Sequence, residues 1–394
     1  MQMSFFKVKN PNLRCAAIID VGGGSVGIAI VTSESDTNTL KVIWSHREHM
    51  LIKEEPNEAD FLREINTTVI NALLELGNSG AKTLHEYDKS IKIQSILITL
   101  SAPWSYTVTK SVHYEDEVPF TVTDALITQL TQSAENETHA ILAQTSKRVE
   151  LGVRVITSKT VDVTLNGYSI SNPTGKKCTT IDLAHISIAA QEKILQVIED
   201  SCQKILPNVP TTQHSFMYLY YQVLKHLHPD TNEVCLIDVT NQATEIGIVR
   251  DNILRNTTYA PIGMYSLARS IAKACDIPKE EAFSILKTGT AIEETYTKSQ
   301  VTAINTICTE YIHALAQLFT QTEDKIMVPK TFFLHTSTDT EQFFSLKIKE
   351  ACAVASIENI TVLLCTSELL EDTTMDDTAL ALSTYYYHHA HMYT

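Results

Sequence analysis

Two short stretches of the chain carry residues from which an anion site could be built. The first reads Asp20-Val21-Gly22-Gly23-Gly24-Ser25-Val26-Gly27. Glycines admit tight turn dihedrals and bring backbone N–H groups close to an anion. Ser25 adds a hydroxyl, and Asp20 could hold a magnesium ion through water. The bland alternative is a structural corner in which a strand-end Asp caps its own turn. The second stretch reads Asp238-Val239-Thr240-Asn241-Gln242-Ala243-Thr244-Glu245, and its Asp lies 218 residues after the first. Here Thr240 and Thr244 offer hydroxyls where the first stretch offers backbone.

The elements that must position these residues follow from periodicity. Ala16 to Ile19 is an apolar strand running into Asp20, and Val26 to Val31 resumes as its antiparallel return. Leu40 to Ser45 predicts a third strand. Leu62, Ile65, Val69 and Leu73 then fall on one helical stripe. Ile91 to Thr99 predicts a strand covered on both faces. Thr123 could cap a helix, and Ser133 to Thr145 reads as a helix or an exposed connection. Val153 to Ile170 alternates, turns at Asn166-Gly167 and again at Asn172-Pro173-Thr174-Gly175, and is followed by a helix with Ile194, Ile198, Cys202 and Ile205 aligned.

Val234 to Asp238, Thr244 to Val249 and Ile253 to Tyr259 repeat the opening pattern, which makes the chain an internal duplication around a cleft. Helices at 265–275, 278–286, 300–319, 341–354 and 377–387 and strands at 331–334 and 360–364 complete the second half.

At 394 residues the chain is long enough for two or three packed domains. A net charge of -15 argues against a nucleic-acid partner, because no basic patch offsets it. The eight cysteines are scattered without a C-x-x-C pair, and reduced, buried thiols in a cytoplasmic protein are the reading. No window is apolar enough to cross a membrane. His388, His389 and His391 read as a solvated tail. Trp104, Phe216, Tyr218, Tyr220 and Tyr221 read as packing, and Glu115 to Glu117 as a solvated face.

The two Asp-led hairpins, with Ile98-Thr99-Leu100-Ser101-Ala102-Pro103-Trp104 between them, resemble the actin, sugar-kinase and chaperone superfamily. The block from Val153 through Asn172-Pro173-Thr174-Gly175 to Ile188 is similar to the subdomain of the FtsA branch, as Ala379-Leu380-Ala381-Leu382 is to its closing helix. The resemblance implies an α/β fold of two similar actin-like halves around a cleft, with a small FtsA-type insert. The boundaries are 1–150 for the first half, 151–212 for the insert and 213–394 for the second half. It further implies ATP and Mg2+ as cofactors, with Asp20, Gly22, Gly23, Gly24, Ser25, Asp238, Thr240 and Thr244 as binding residues and Asp20 on the metal. The partners it implies are further copies of the chain in filaments and the tubulin-like division protein or other division proteins.

Three departures qualify those expectations. The second hairpin lacks the family's glycines, so Thr240 to Gln242 either occupy phosphate space or donate in place of backbone. His335-Thr336-Ser337-Thr338 replaces the Gly-Gly pair of the adenosine loop. The end of the chain lacks a basic amphipathic stripe, so membrane contact is expected only through partners. Weak or absent hydrolysis is expected, and a division scaffold is the leading function. A PilM-like platform for type IV pilus assembly is the alternative, and a sugar kinase or phosphatase ranks last because no second phosphate hairpin is intact.

Overall fold

The computed structural model describes residues 13–34, 39–50, 58–148, 152–288, 292–320, 322, 326–336, 339–366 and 375–390. Ser337, Thr338 and His391, which entered the sequence reading, lie outside the described residues. The chain opens with β1 (Leu13–Val21), β2 (Ser25–Glu34) and β3 (Thr39–His49), an antiparallel meander. Next come α1 (Glu58–Glu75), a π turn over Leu76–Gly80, α2 (Ala81–Tyr87) and β4 (Ser95–Leu100), which pairs parallel to β1.

A separate sheet follows, built from β5 (Ser105–Thr121), β6 (Val153–Leu165), β7 (Tyr168–Ser169) and β8 (Lys177–Gln191) in the order β5-β8-β6-β7. Between β5 and β6 runs α3 (Asp124–Arg148), a single helix where the sequence left Ser133 to Thr145 open. The Thr123 hydroxyl accepts from the Leu126 N–H and caps it. This sheet therefore begins at residue 105 rather than 151. The reason is register: β5 pairs along most of its length with β8, not with β4.

The chain then returns through α4 (Glu192–Ile205), which packs beside α1, and β9 (Thr211–Ser215), which extends the first sheet beside β4. Next is α5 (Phe216–Leu227), which sequence reading took as packing without assigning a helix. Its first six residues are all apolar or aromatic and eight of its residues are buried, so only a narrow polar face of Gln222, Lys225 and His226 marks it.

The second half repeats the first. β10 (Val234–Val239), β11 (Thr244–Arg250) and β12 (Ile253–Ala260) form a meander followed by α6 (Met264–Cys275), α7 (Lys279–Thr288), α8 (Ile292–Thr295) and α9 (Lys298–Thr320). After these come β13 (Thr331–Thr336), α10 (Glu341–Val354), β14 (Thr361–Leu364) and α11 (Thr378–His389). The two main sheets have matching orders, β3-β2-β1-β4-β9 and β12-β11-β10-β13-β14.

Strand alternation sorts the cores. Ala16 and Ile18 on β1, with Val234 and Leu236 on β10, face a middle layer made by α5 and α11. Cys15, Ala17 and Ile19 face α1 and α4, whereas Cys235, Ile237 and Val239 face α6, α9 and α10. Both sheets are thus covered on both faces, which explains their continuous apolar runs.

His388 and His389 are buried in α11, not solvated as expected. Asp377 caps that helix by accepting from the Leu380 N–H, and the His388 Nδ1 lies 2.8 Å from the Ser33 hydroxyl. All eight cysteines are buried and unbridged.

The middle layer joins the halves, so it should carry much of their mutual stability. Leu382→Ala, at a fully buried position there, should cost about 2–5 kcal/mol in urea unfolding. A cost near that of a surface change would contradict this packing.

Candidate functional site

Alternation places Asp20 on the same face as Ala16 and Ile18, and Asp238 on the same face as Val234 and Leu236. Both carboxylates therefore emerge toward the middle of the molecule, at the strand ends. Asp20, Gly22, Gly23 and Ser25 line one side of a cavity of about 450 Å³, and Asp238, Thr240 and Asn241 line the other. The facing arrangement expected of the two hairpins is present.

Asp20 is buried and fully engaged. Its Oδ1 accepts from the Thr99 hydroxyl at 3.1 Å, and its Oδ2 accepts from Arg47 Nη2 at 2.8 Å. The same guanidinium donates through Nη1 to the Ser25 hydroxyl at 2.8 Å. Through Nε and Nη2 it forks onto both oxygens of Asp377, at 2.5 and 2.9 Å. Burial pushes the Asp20 carboxyl up, and the Arg47 charge and hydrogen bond pull against it. For Asp377 burial also acts upward, but Arg47 and the Leu380 N–H outweigh it and hold the carboxyl below its ordinary value.

Asp238 has a different partner. Its Oδ1 accepts from His335 Nδ1 at 2.7 Å, while Oδ2 is buried without a hydrogen bond. Directly across the ladder stands Glu245, also buried, with Oε2 unpartnered. Burial, then the charge of Asp238, pushes the Glu245 carboxyl well above its ordinary value against an opposing hydrogen bond from the Ala102 backbone. A proton retained on Glu245 limits the repulsion between the two.

Thr244 does not reach the cleft. It stands opposite Val239, so it faces the outer core, where its hydroxyl donates to the Ile262 carbonyl at 2.8 Å and lies 3.0 Å from the Tyr311 hydroxyl. Thr240 spends its side chain on its own turn, bonding both the carbonyl and the N–H of Ala243.

The hairpin tips touch. A Cβ added at Gly23 would lie 2.5 Å from Thr240 Oγ1, and one at Gly24 would lie 2.6 Å from Asn241 Cβ. These glycines make room for the opposite hairpin. The N-terminus of α6, another ready anion site, is committed as well: the Met264 and Tyr265 N–H groups donate to the carbonyls of Thr240 and Asn241.

The cavity lies beside hairpins that offer no open phosphate cradle: side chains occupy the space between the tips, Arg47 holds the carboxylate expected to bear the metal, and the N-terminus of α6 is capped by protein. Arg47 and Asp377 were not read from the sequence. One signal was available: a turn centred on the glycines places Gly27 opposite Asp20, an empty position beside a buried charge.

No family model matches the sequence, and no curated protein matches it. Among solved structures, the chain is similar to one from a PilM–PilN type IV pilus biogenesis complex, at 10% identity. The match covers 95% of this chain and 98% of that one, with a TM-score of 0.56. It is also similar to a Bacteroides thetaiotaomicron protein with an actin-like ATPase fold and unknown function, at 9% identity over 93% and 95% of the two chains and a TM-score of 0.45. The duplicated sheets and the cleft between them define an actin-like ATPase fold of two α/β halves with a smaller third-sheet unit.

Two outcomes follow. Gly24→Ala should destabilise the protein by about 1–3 kcal/mol, and adding Asn241→Gly should recover much of that loss in a double-mutant cycle; additive effects would contradict the tip contact. The folded state holds the Glu245 proton beyond the pH at which the unfolded chain releases it. Glu245 therefore costs stability progressively as pH rises above the ordinary value of 4.5. Unfolding of Glu245→Gln and wild type across neutral pH should show the variant's advantage growing with pH, and a constant difference would contradict a retained proton.

Proposed function

We propose that this chain is an actin-like scaffold that holds partner proteins without a nucleotide cycle, serving as a platform of the kind used in type IV pilus assembly. The contact of Thr240 and Asn241 with Gly23 and Gly24 carries the reading, because it fills the phosphate space with protein. Such a molecule retains the shape of the fold but not its usual ligand. The likeness over nearly the full length to a chain of the PilM–PilN complex supports a platform role.

The third sheet is the partner-facing element in this reading. Its β5 arm exposes Tyr114 and Val118 beside Glu115 to Glu117, and Tyr168 stands exposed at β7. Among the described residues no helix is long and apolar enough to cross a membrane, so contact with a membrane system would run through partners.

A scaffold of cell division is the second reading. It is favoured by Asn172-Pro173-Thr174-Gly175, where the Lys176 N–H closes a turn on the Pro173 carbonyl and Gly175 takes a φ of 83°. Filaments and a tubulin-like partner belong to that reading.

Pull-downs against the inner segment of a pilus-assembly membrane protein and against the tail of the tubulin-like division protein separate the two. Sedimentation would report self-assembly. One partner should be captured equally with and without Mg-ATP, and a Tyr114→Ala/Val118→Ser variant should bind it less. A strictly monomeric protein that captures neither would contradict the scaffold assignment.

A further inference from the structure

We propose that Arg47 is a resident counter-ion that stands in for a bound metal, so that the first hairpin, β3 and α11 are held together by the protein's own charges. The inference rests on the geometry around Asp20 and not on the choice of partner. Three neighbouring strands place Asp20, Gly27 and Arg47 side by side in register. A side chain at Gly27 would block the arrangement: its Cβ would lie 2.5 Å from Arg47 Nη2 and 3.0 Å from Leu380. The missing side chain is the passage through which the guanidinium reaches from β3 across β2 to the carboxylate on β1.

The second half shows what happens without that passage. At the equivalent register Asp238 is followed by Glu245 and Tyr259, a carboxyl and a phenol, and Asp238 takes a hydrogen bond from His335 instead. The two halves have the same sheet order, so the difference is one of side chains, and only the first half has a guanidinium at this position.

Arg47 also does what a compact divalent ion would do: it gathers oxygen ligands from separate elements. Asp20 comes from β1, Ser25 from the start of β2, and Asp377 from the cap of α11. One fixed positive charge between two carboxylates leaves the cluster one negative charge in excess. A divalent ion approaching Asp20 would have to displace the guanidinium, breaking a bidentate pair and losing its hydrogen bonds. Removing the arginine should reverse that preference, because the two carboxylates are then left facing an empty space and become a cation site.

The test uses Mg2+ alone as probe. Thermal unfolding and amide exchange are measured for the full chain, wild type and Arg47→Gln, with and without MgCl2. Wild type should be unmoved by Mg2+. Arg47→Gln should lose several degrees of melting temperature and exchange faster at Val26 and Leu380, and Mg2+ should restore part of both. Where Arg47→Gln does not fold, Gly27→Ala displaces the guanidinium more gently and should show the same loss and the same rescue. Stabilisation of wild type by Mg2+ to the same extent as the variant would overturn the proposal. So would a folded variant whose exchange at Val26 and Leu380 is unchanged, or one that Mg2+ does not stabilise.

Discussion

A single guanidinium between a buried carboxylate, Asp20, and a half-buried one, Asp377, fixes the relation of the first hairpin to the last helix. Arg47 is reached by three hydrogen-bonded elements, and each would carry an unpaired polar group without it. Buried ion pairs of this kind contribute little net stability compared with apolar packing, but breaking one is costly because a charge is stranded. The constraint is therefore one of arrangement. With Asp377 pinned, α11 enters the middle layer at a defined angle, and the Thr99 hydroxyl, bonded to Asp20, lies 3.3 Å from the Ser383 hydroxyl on that helix.

The rest of the cleft follows from the same economy of space. The hairpin tips close on each other because one side is glycine and the other is not. The glycines of the first turn, which looked like a phosphate cradle, face Thr240 and Asn241. The loss of glycines in the second hairpin is thus complementary to their retention in the first. At the hairpin tips the molecule is closed on its own side chains.

Much of the fold was legible because both main sheets are covered on two faces and marked by strong periodicity. β10, β11, β13 and α10 fall where the apolar runs place them. α5 was missed because its first six residues are all apolar or aromatic, leaving only Gln222, Lys225 and His226 to mark a narrow polar face. The strand-like stretch up to Phe120 was left in the first half because nothing local to it shows that β5 pairs with β8. At the site, Asp20, Gly22, Gly23, Ser25, Asp238 and Thr240 could be found from turn chemistry, since turns are local. Thr244 was misplaced by one step of strand alternation. Arg47 and Asp377 are brought to Asp20 by tertiary register across 27 and 357 positions, and nothing local to either residue announces it. The histidines of α11 looked like a tail because polar residues inside a middle layer are rare, yet Ser33 and the helix backbone provide their partners.

The central claim is that the touching hairpin tips and the hold of Arg47 on Asp20 leave no open phosphate cradle beside the cavity. Calorimetric titration of Mg-ATP into the wild-type chain tests it most directly. The account predicts no saturable heat. Saturable binding that is lost in Asp20→Ala would contradict it.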